Sequence, residues 1–151
     1  MANIQDPTRL KISLEDLREG LSELLSRDAT VVKDVTITQF DEACEEDFET
    51  FLSHYSHIQF LVMKGRCLIT DDYLKIIGRK LKKLLRLAIA MNTSITDVGL
   101  SYLSGENNLS EEVSCPLLEV FYIEKASGIT GKGIHTITSR LLLEYFECVG
   151  T

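Results

Sequence analysis

The sequence is poor in several features that mark other protein classes. It has no tryptophan, two prolines and four cysteines among 151 residues, and no apolar run approaches the ~18 residues that a membrane span requires. The cysteines, Cys44, Cys67, Cys115 and Cys148, lie far apart and form no C-x-x-C motif, which disfavours a zinc ribbon or a disulfide framework. We therefore expect reduced, mostly buried thiols, no membrane span and a cytosolic or nuclear location.

Positive charge is also scarce. Lys and Arg number 16 against 23 Asp and Glu, a net charge of -7, which disfavours binding to nucleic acid or to an anionic membrane. The basic segment 78–86 has no interleaved aromatic residues and follows the acidic segment 41–49, so we expect weakly paired, solvated helix faces. The first residues lack the pattern of a secretory signal, and Asp6, Glu15 and Asp16 argue against a mitochondrial transit peptide.

Catalytic and metal-binding patterns are missing as well. The sequence contains no G-x-S-x-G, no H-E-x-x-H and no phosphate-binding glycine loop. His54 and His57 could share a metal on one helix face, but no acidic or thiol residue at short spacing completes a tetrahedral site. We interpret them as histidines at a helix C-terminus. The sequence therefore predicts a protein that is not an enzyme and that has no metal and no cofactor.

What the sequence does contain is a repeat. Similar segments begin at Ile69, Ile95 and Ile129, and the first two read Ile-Thr-Asp while the third reads Ile-Thr-Gly. An apolar triplet precedes each segment at fixed offsets. A fourth triplet lies 26 residues upstream of the first, the same distance that separates Ile69 from Ile95. The triplets are Val32, Val35 and Ile37; Ile58, Leu61 and Met63; Leu84, Leu87 and Ile89; and Leu118, Phe121 and Ile123. Self-similarity at such a period indicates a solenoid of stacked repeats.

The residue pattern within each repeat indicates a strand, a turn and a helix. L-x-x-L-x-L places alternate residues on one face, as in a short strand. Thr70 and Thr96 can cap the first N–H groups of a helix, and the Asp after each suits the positive end of the helix dipole. Two apolar residues three apart then form the inward stripe of the helix; the pairs are Leu74 and Ile77, Leu100 and Leu103, and Ile134 and Ile137. We predict an α/β solenoid of about four repeats over a parallel sheet.

These repeats resemble the leucine-rich repeat, and within it the cysteine-containing type found in F-box leucine-rich-repeat proteins. The resemblance covers about residues 31–140. Asn92 matches the Cys or Asn that this type carries in the turn, whereas Arg66 and Ala126 do not, and Cys67 lies one residue late. The resemblance implies a repeat domain that holds a protein substrate for ubiquitin transfer.

The chain divides into two predicted parts. Residues 1–30 are expected to form an N-terminal capping helix, and residues 31–151 a leucine-rich-repeat domain with repeats starting near 32, 58, 84 and 118. Ser13 and Asp16 resemble a capping box at the start of that helix. Its apolar residues at helical spacing are Leu14, Leu17, Leu21, Leu24 and Leu25. The stretch is too short for a three-helix F-box.

The C-terminal part carries two further predictions. Leu143, Phe146 and Cys148 are spaced as in a last strand, and the open edge of that strand could pair with another copy of the chain. The polar insertion at 105–112 is expected to be a loop.

Strand residues between the core positions should point away from the core, onto the concave face. Several are large and apolar, and charged residues surround them. Such a mixture is typical of binding hot spots, although a cap helix or a C-terminal tail could cover it instead. The predicted protein-binding residues are Phe60, Val62, Lys64, Arg86, Val120, Tyr122 and Glu124.

Three functional hypotheses follow from the repeats. The first is a non-catalytic protein–protein interaction module, an adaptor or substrate-recognition protein with ubiquitin-ligase components as candidate partners. The alternative is a mitochondrial assembly factor, because the ATP synthase coupling factor B family has a similar length and about four repeats of this kind. The third is a structural protein that associates with itself through its C-terminal edge strand.

Overall fold

Six parallel strands alternate with helices in the computed structural model, which describes residues 6–40, 44–66, 69–90, 94–105, 114–124 and 126–149. The strands are β1 (Arg9–Ser13), β2 (Asp34–Thr38), β3 (Phe60–Lys64), β4 (Arg86–Ala90), β5 (Val120–Glu124) and β6 (Tyr145–Val149). The helices are α1 (Leu14–Glu19), α2 (Leu21–Leu25), α3 (Glu45–His54), α4 (Asp71–Lys80), α5 (Asp97–Ser104) and α6 (Gly131–Arg140). The strands form one sheet in sequence order, so the predicted α/β repeat fold is confirmed.

The predicted register of the repeats is confirmed in the sheet. Val35, Leu61, Leu87 and Phe121 lie side by side on consecutive strands, and Ile37, Met63, Ile89 and Ile123 form the next row. All eight side chains are at most 1% exposed. Val32, Ile58, Leu84 and Leu118 precede these strands and are also buried. One row of each repeat therefore continues the row of its neighbour, and the stack shares a single core.

The helices pack in a second layer, each against the helix of the next repeat. The inward residues of α4 and α5 are fully buried between this layer and the sheet, as predicted; they are Leu74, Ile77, Leu100 and Leu103. Ile134 departs from the prediction, because it is 37% exposed although its partner Ile137 is buried. Among the described residues α6 is the last helix, so no further helix packs on its outer side. The same template extends the repeat at Val32 with Ala43, Phe48 and Phe51. Phe48 and Phe51 are fully buried, and Ala43 lies outside the described residues.

The N-terminal segment contains more than the expected single helix. The capping box is confirmed, since the Ser13 N–H donates to Asp16 at 2.9 Å and the Asp16 N–H donates to Ser13 at 3.2 Å. The helix, however, is divided at Gly20 into α1 and α2, and β1 precedes it and pairs with β2. The boundary between a capping segment and a repeat domain stays a prediction.

A weak signal for β1 was present in the sequence. Leu10 and Ile12 lie 25 residues before Val35 and Ile37, one residue short of the regular period. Proline at position 7 occupies the first apolar position of this truncated copy. The template therefore failed at Pro7, although Leu10 and Ile12 keep the alternation of apolar residues that is typical of a strand.

The predicted last strand is confirmed. β6 pairs with β5, and Phe121 and Phe146 bring their ring centroids to 5.5 Å across that pair. Leu143, Phe146 and Cys148 are partly buried against the core. The insertion could not be compared with the prediction beyond Gly105, because residues 106–113 lie outside the described part of the chain.

The turns before the helices are joined from one repeat to the next by an aspartate. The Asp71 carboxylate accepts the Thr96 N–H at 2.8 Å and the Thr96 hydroxyl at 2.7 Å. In the next repeat, the Asp97 carboxylate accepts the N–H and hydroxyl of Thr130. The sequence had suggested only a helix-dipole role for these aspartates, because their partners are 25 and 33 residues away.

Each of these aspartates faces a glycine of the following helix. A Cβ added at Gly99 would overlap the Asp71 Oδ1, and a Cβ added at Gly133 would overlap the Asp97 carboxylate. The recurring glycines are therefore explained by close packing. In the earlier repeat, Tyr73 stands at the glycine position, and its hydroxyl accepts the N–H of Cys44 at 2.9 Å.

Candidate functional site

The face of the sheet that carries no helices is what we call the concave face. Because side chains alternate along a strand, every second strand residue points onto it, and the parallel register aligns these residues in rows. The first row is Arg9, Asp34, Phe60, Arg86, Val120 and Tyr145, and the second is Lys11, Thr36, Val62, Ala88, Tyr122 and Glu147. The first strand contributes Arg9 and Lys11 to the two rows, and the last contributes Tyr145 and Glu147. The centre is largely apolar apart from Arg86.

A shallow depression of about 400 Å³ lies at the centre of the concave face. Ala88 lies between Val62 and Tyr122 in the second row, and its small side chain leaves space between two larger ones. Of the seven predicted binding residues, five line the depression; they are Phe60, Val62, Arg86, Val120 and Tyr122. Lys64 and Glu124 lie at the ends of β3 and β5, away from it.

The Arg86 guanidinium lies over the Phe60 ring, with 5.3 Å between the guanidinium carbon and the ring centroid. Both residues begin their strands and are adjacent in the register. Arg86 is exposed, while Phe60 is half-buried. A guanidinium held on an aromatic face keeps its N–H donors directed outward, so this pair can bind a carboxylate and an apolar group together.

Two tyrosine–glutamate pairs occupy the opposite end of the face. The Tyr122 hydroxyl donates to Glu124 at 2.7 Å, and the Tyr145 hydroxyl donates to Glu147 at 2.7 Å on the next strand. The hydrogen bond to Glu124, together with desolvation and the nearby negative charges of Glu124 and Glu147, raises the pKa of Tyr122 to about 12. The pKa of Tyr145 is raised for the same first cause, its hydrogen bond to Glu147. Both hydroxyls therefore stay protonated and serve as hydrogen-bond donors to the two glutamates.

The charges on the concave face are separated along the solenoid. Arg9, Lys11, Lys64 and Arg86 are carried by β1, β3 and β4, and Asp34 of β2 lies 3.6 Å from Arg9. The outward charges of β5 and β6 are Glu124 and Glu147. The positive charges thus lie on the first four strands and the outward negative charges of Glu124 and Glu147 on the last two, so the apolar residues of β3 to β5 lie where the two sets meet.

The N-terminal helices do not cover this face. Both α1 and α2 pack against α3 in the helix layer, and α1 contacts its own strand β1. The Tyr55 hydroxyl of the α3 segment donates to the Leu24 carbonyl at 2.7 Å and fixes α2 there. The alternative in which the cap helix hides the apolar strand residues is therefore wrong. The other alternative, a covering C-terminal tail, stays untested, because residues 150 and 151 lie outside the described range.

The remaining sequence candidates are dispersed. His54 ends α3 with its Nε2 2.9 Å from the Arg27 carbonyl oxygen, and His57 lies in the following turn. Across the described ranges, no group of three metal-ligating side chains is close enough to hold an ion. Burial raises the pKa of the Cys115 thiol to about 12, and Cys67 lies outside the described residues.

The basic segment is divided among three elements. Arg79 on α4 lies 3.7 Å from Glu49 on α3, which is the weak interhelix pairing predicted from the sequence. The Lys82 ammonium donates to the carbonyls of Gly78 and Ser114 at 2.8 and 3.1 Å. Arg86 lies on the concave face. Asp41 and Glu42 of the acidic segment lie outside the described residues. In the part of the chain that the structure covers, none of the helices has the length and hydropathy of a membrane span.

The sheet order, the helix layer and the repeat register together define a fold of the leucine-rich-repeat type. The structure is similar to that of the tropomodulin C-terminal domain from Caenorhabditis elegans, with a TM-score of 0.58 and 14% sequence identity. The alignment covers 90% of this chain and 83% of the tropomodulin domain. At this identity the similarity shows the fold alone. No protein-family model and no curated protein matches the chain.

Proposed function

We propose that this chain is a non-catalytic protein-binding module and that the concave face is its binding surface. The observation that carries the proposal is the cluster of Phe60, Val62, Val120 and Tyr122 around one depression, on a side of the sheet that the N-terminal helices leave open. Aromatic side chains and arginine are enriched in protein interfaces and dominate their binding energy, and Phe60, Tyr122 and Arg86 are of these types.

The charges on the face specify the chemistry of the partner. Lys11 on β1, Lys64 on β3 and Arg86 on β4 favour acidic groups above the first four strands, and Glu124 with Glu147 favours basic groups above β5 and β6. An apolar side chain would fill the depression between them. Such complementarity governs orientation and association rate more than affinity, because the outer charges remain solvated. The partner surface should therefore carry opposite charges on either side of an apolar centre.

The test compares capture of partners by the unmodified chain, Phe60→Ala and Tyr122→Ala. Proteins captured from the source cell extract are quantified by mass spectrometry, and the candidate is then purified and titrated by calorimetry. We expect each substitution to raise the dissociation constant tenfold or more, which corresponds to a loss of about 1.4 kcal/mol of binding free energy. Circular dichroism melting establishes that each variant remains folded.

The matched control is Val98→Ala. Val98 is an apolar residue on α5 that is 46% exposed and lies in the helix layer, away from the concave face. Its replacement should leave the affinity unchanged. A purified partner that binds Phe60→Ala, Tyr122→Ala and the unmodified chain equally would contradict the proposal.

Two narrower roles rest on sequence resemblance. As a substrate-recognition protein, the chain would bind its target on the concave face and contact ubiquitin-ligase components elsewhere; no comparison points to ubiquitin ligation. As a mitochondrial assembly factor, it would be imported and found in the matrix. Fractionation of cells with N-terminal sequencing separates the two roles, because matrix import with a cleaved N-terminus favours the second.

A further inference from the structure

Both outer edges of the sheet are open among the described residues. The strand order runs from β1 to β6 without rearrangement, so β1 and β6 each have one neighbour. An open edge presents a row of N–H and C=O groups that can pair with another strand. The two edges differ in sequence, and this difference decides what each can accept.

The β1 edge borders a groove of about 610 Å³. Leu10, Ile12 and Leu24 supply its apolar side chains, and Arg9, Lys11 and Arg27 are among the charged residues around it. Leu10 is only partly buried against the core, although the equivalent residues of β2 to β5 are 0–1% exposed. The groove therefore has space for apolar side chains that an added strand would bring.

The β6 edge presents apolar side chains that could enter this groove. Phe146 and Cys148 are partly buried apolar residues on the core side, and Tyr145 is 51% exposed. Just before the strand, Leu142 is 94% exposed. A strand placed beyond β6 would cover Phe146 and Cys148 as each inner strand of the sheet covers its neighbour.

The register of the sheet fixes how the two edges would meet. All six strands are aligned at their first residues, from Arg9 to Tyr145. One more step in this register would set Glu147 opposite Lys11 on the concave face and Phe146 opposite Leu10 on the core side. Opposite charges facing each other across strands stabilise a pair. A shift by one residue would put the apolar residues on the wrong face.

We propose that the occupant of the β1 edge is strand β6 of a second copy of this chain, paired parallel and head to tail. Pairing of like edges is disfavoured by charge, because two β1 strands would bring Arg9 and Lys11 of both copies together. Because each copy offers one edge of each kind, the contact is heterologous and can continue from copy to copy. It uses the sheet edges and leaves the apolar centre of the concave face open to a partner.

The test measures the mass of the purified 151-residue chain by sedimentation velocity across a wide concentration range. The unmodified chain should show an average mass that rises with concentration. Lys11→Glu and Glu147→Lys each replace an attraction by a repulsion, so each variant alone should associate about tenfold more weakly. An equal mixture of the two restores opposite charges at every contact and should recover the association of the unmodified chain. Matched controls are Lys83→Glu and Glu46→Lys, exposed residues away from both edges.

A proline variant tests the backbone pairing, and Lys11→Ala, which loses the same charge but keeps the backbone N–H, is its control. The Asp34 N–H donates to the Thr8 carbonyl, and the alternation of a parallel ladder then directs the Lys11 N–H to the open side. Lys11→Pro removes that donor on the open side, while every hydrogen bond between β1 and β2 is kept. Added to the unmodified chain, it should terminate the assemblies and lower their average mass. Far-ultraviolet circular dichroism confirms that each variant is folded.

The outcomes separate the alternatives. A strict monomer at every concentration overturns the proposal, as expected if a strand of another protein occupies this edge. Association that persists in Lys11→Glu and in Lys11→Pro also overturns it, because that result indicates pairing between two β6 strands. Loss in each charge variant with recovery in the mixture supports head-to-tail pairing.

Discussion

The aspartate–glycine contact between repeats gives a sharp test of how this solenoid is held together. The Asp71 carboxylate accepts two hydrogen bonds from Thr96, and Gly99 leaves the space that the carboxylate fills. The two residues belong to different helices and form one unit. Their effects on stability should therefore be strongly coupled.

The expected magnitudes follow from the contacts. Asp71→Ala removes both hydrogen bonds and a favourable charge at the start of α4, which should lower the free energy of unfolding by about 2 kcal/mol. Gly99→Ala forces the carboxylate away and loses the same hydrogen bonds. Alanine recovers up to about 1 kcal/mol of helix stability, so the net loss should be about 1–2 kcal/mol.

The double variant distinguishes this reasoning from simple additivity. Once the carboxylate is gone, the next nearest atoms to a Cβ at Gly99 are Ile95 Cγ2 and Leu74 Cδ1, each at 3.1 Å, and these side-chain atoms can shift. Adding Gly99→Ala to Asp71→Ala should then cost almost nothing. We expect a coupling free energy of about 1 kcal/mol or more, in favour of the double variant.

The assay is urea unfolding followed by circular dichroism at 222 nm, a signal suited to a chain with no tryptophan. Gly131→Ala is the matched control, because a Cβ at that position in α6 meets nothing within 4 Å; it should be neutral or stabilising by up to about 1 kcal/mol. If the Asp71 and Gly99 effects add within about 0.5 kcal/mol, the contact does not act as a unit and the reasoning fails.

Three further predictions concern single sites. Leu87→Ala, in a central strand and 1% exposed, should lower the free energy of unfolding by about 2–5 kcal/mol in the same assay, and a loss below 1 kcal/mol would contradict its place in the core. The pKa of Tyr122 should lie near 12 in an ultraviolet titration and fall in Glu124→Gln. Because the folded pKa exceeds the ordinary 10.0, the stability due to this proton is complete below pH 10 and is lost as pH rises towards 12. Cys115, buried and with its pKa raised to about 12, should resist iodoacetamide at pH 8 until urea unfolds the chain, as mapped by peptide mass spectrometry; equal labelling in both states would refute its burial.

The sequence predicted the repeats correctly at the described template positions, except that Ile134 in the last repeat is exposed. The rows through Leu61 and Met63 were assigned from spacing alone, because a residue that must be buried on one face of a strand is confined to apolar types. The template missed β1, where Pro7 replaces its first apolar residue and the spacing is one residue short. A single substitution at an unburied end costs the fold little, so the residue type there is not constrained.

The side chains of the candidate site could be named in advance, but their arrangement could not. Alternation alone placed Phe60, Val62 and Tyr122 on the outward face. That five of seven predicted residues line one depression depends on the small Ala88 between larger neighbours, which only adjacent strands bring together. The alternative in which the cap helix covers this face was corrected by the packing of α1 and α2 against α3.

By itself, the sequence determined the period, the strand–turn–helix order and the burial of each repeated apolar row, because these follow from local spacing and from the need to remove apolar surface from water. Tertiary structure decided the aspartate–threonine links between repeats and the charge separation across the concave face. It also decided which side chains lie at the two open edges of the sheet, β1 and β6. These features join residues on different repeats, and their distances and directions are set only when the strands take a common register.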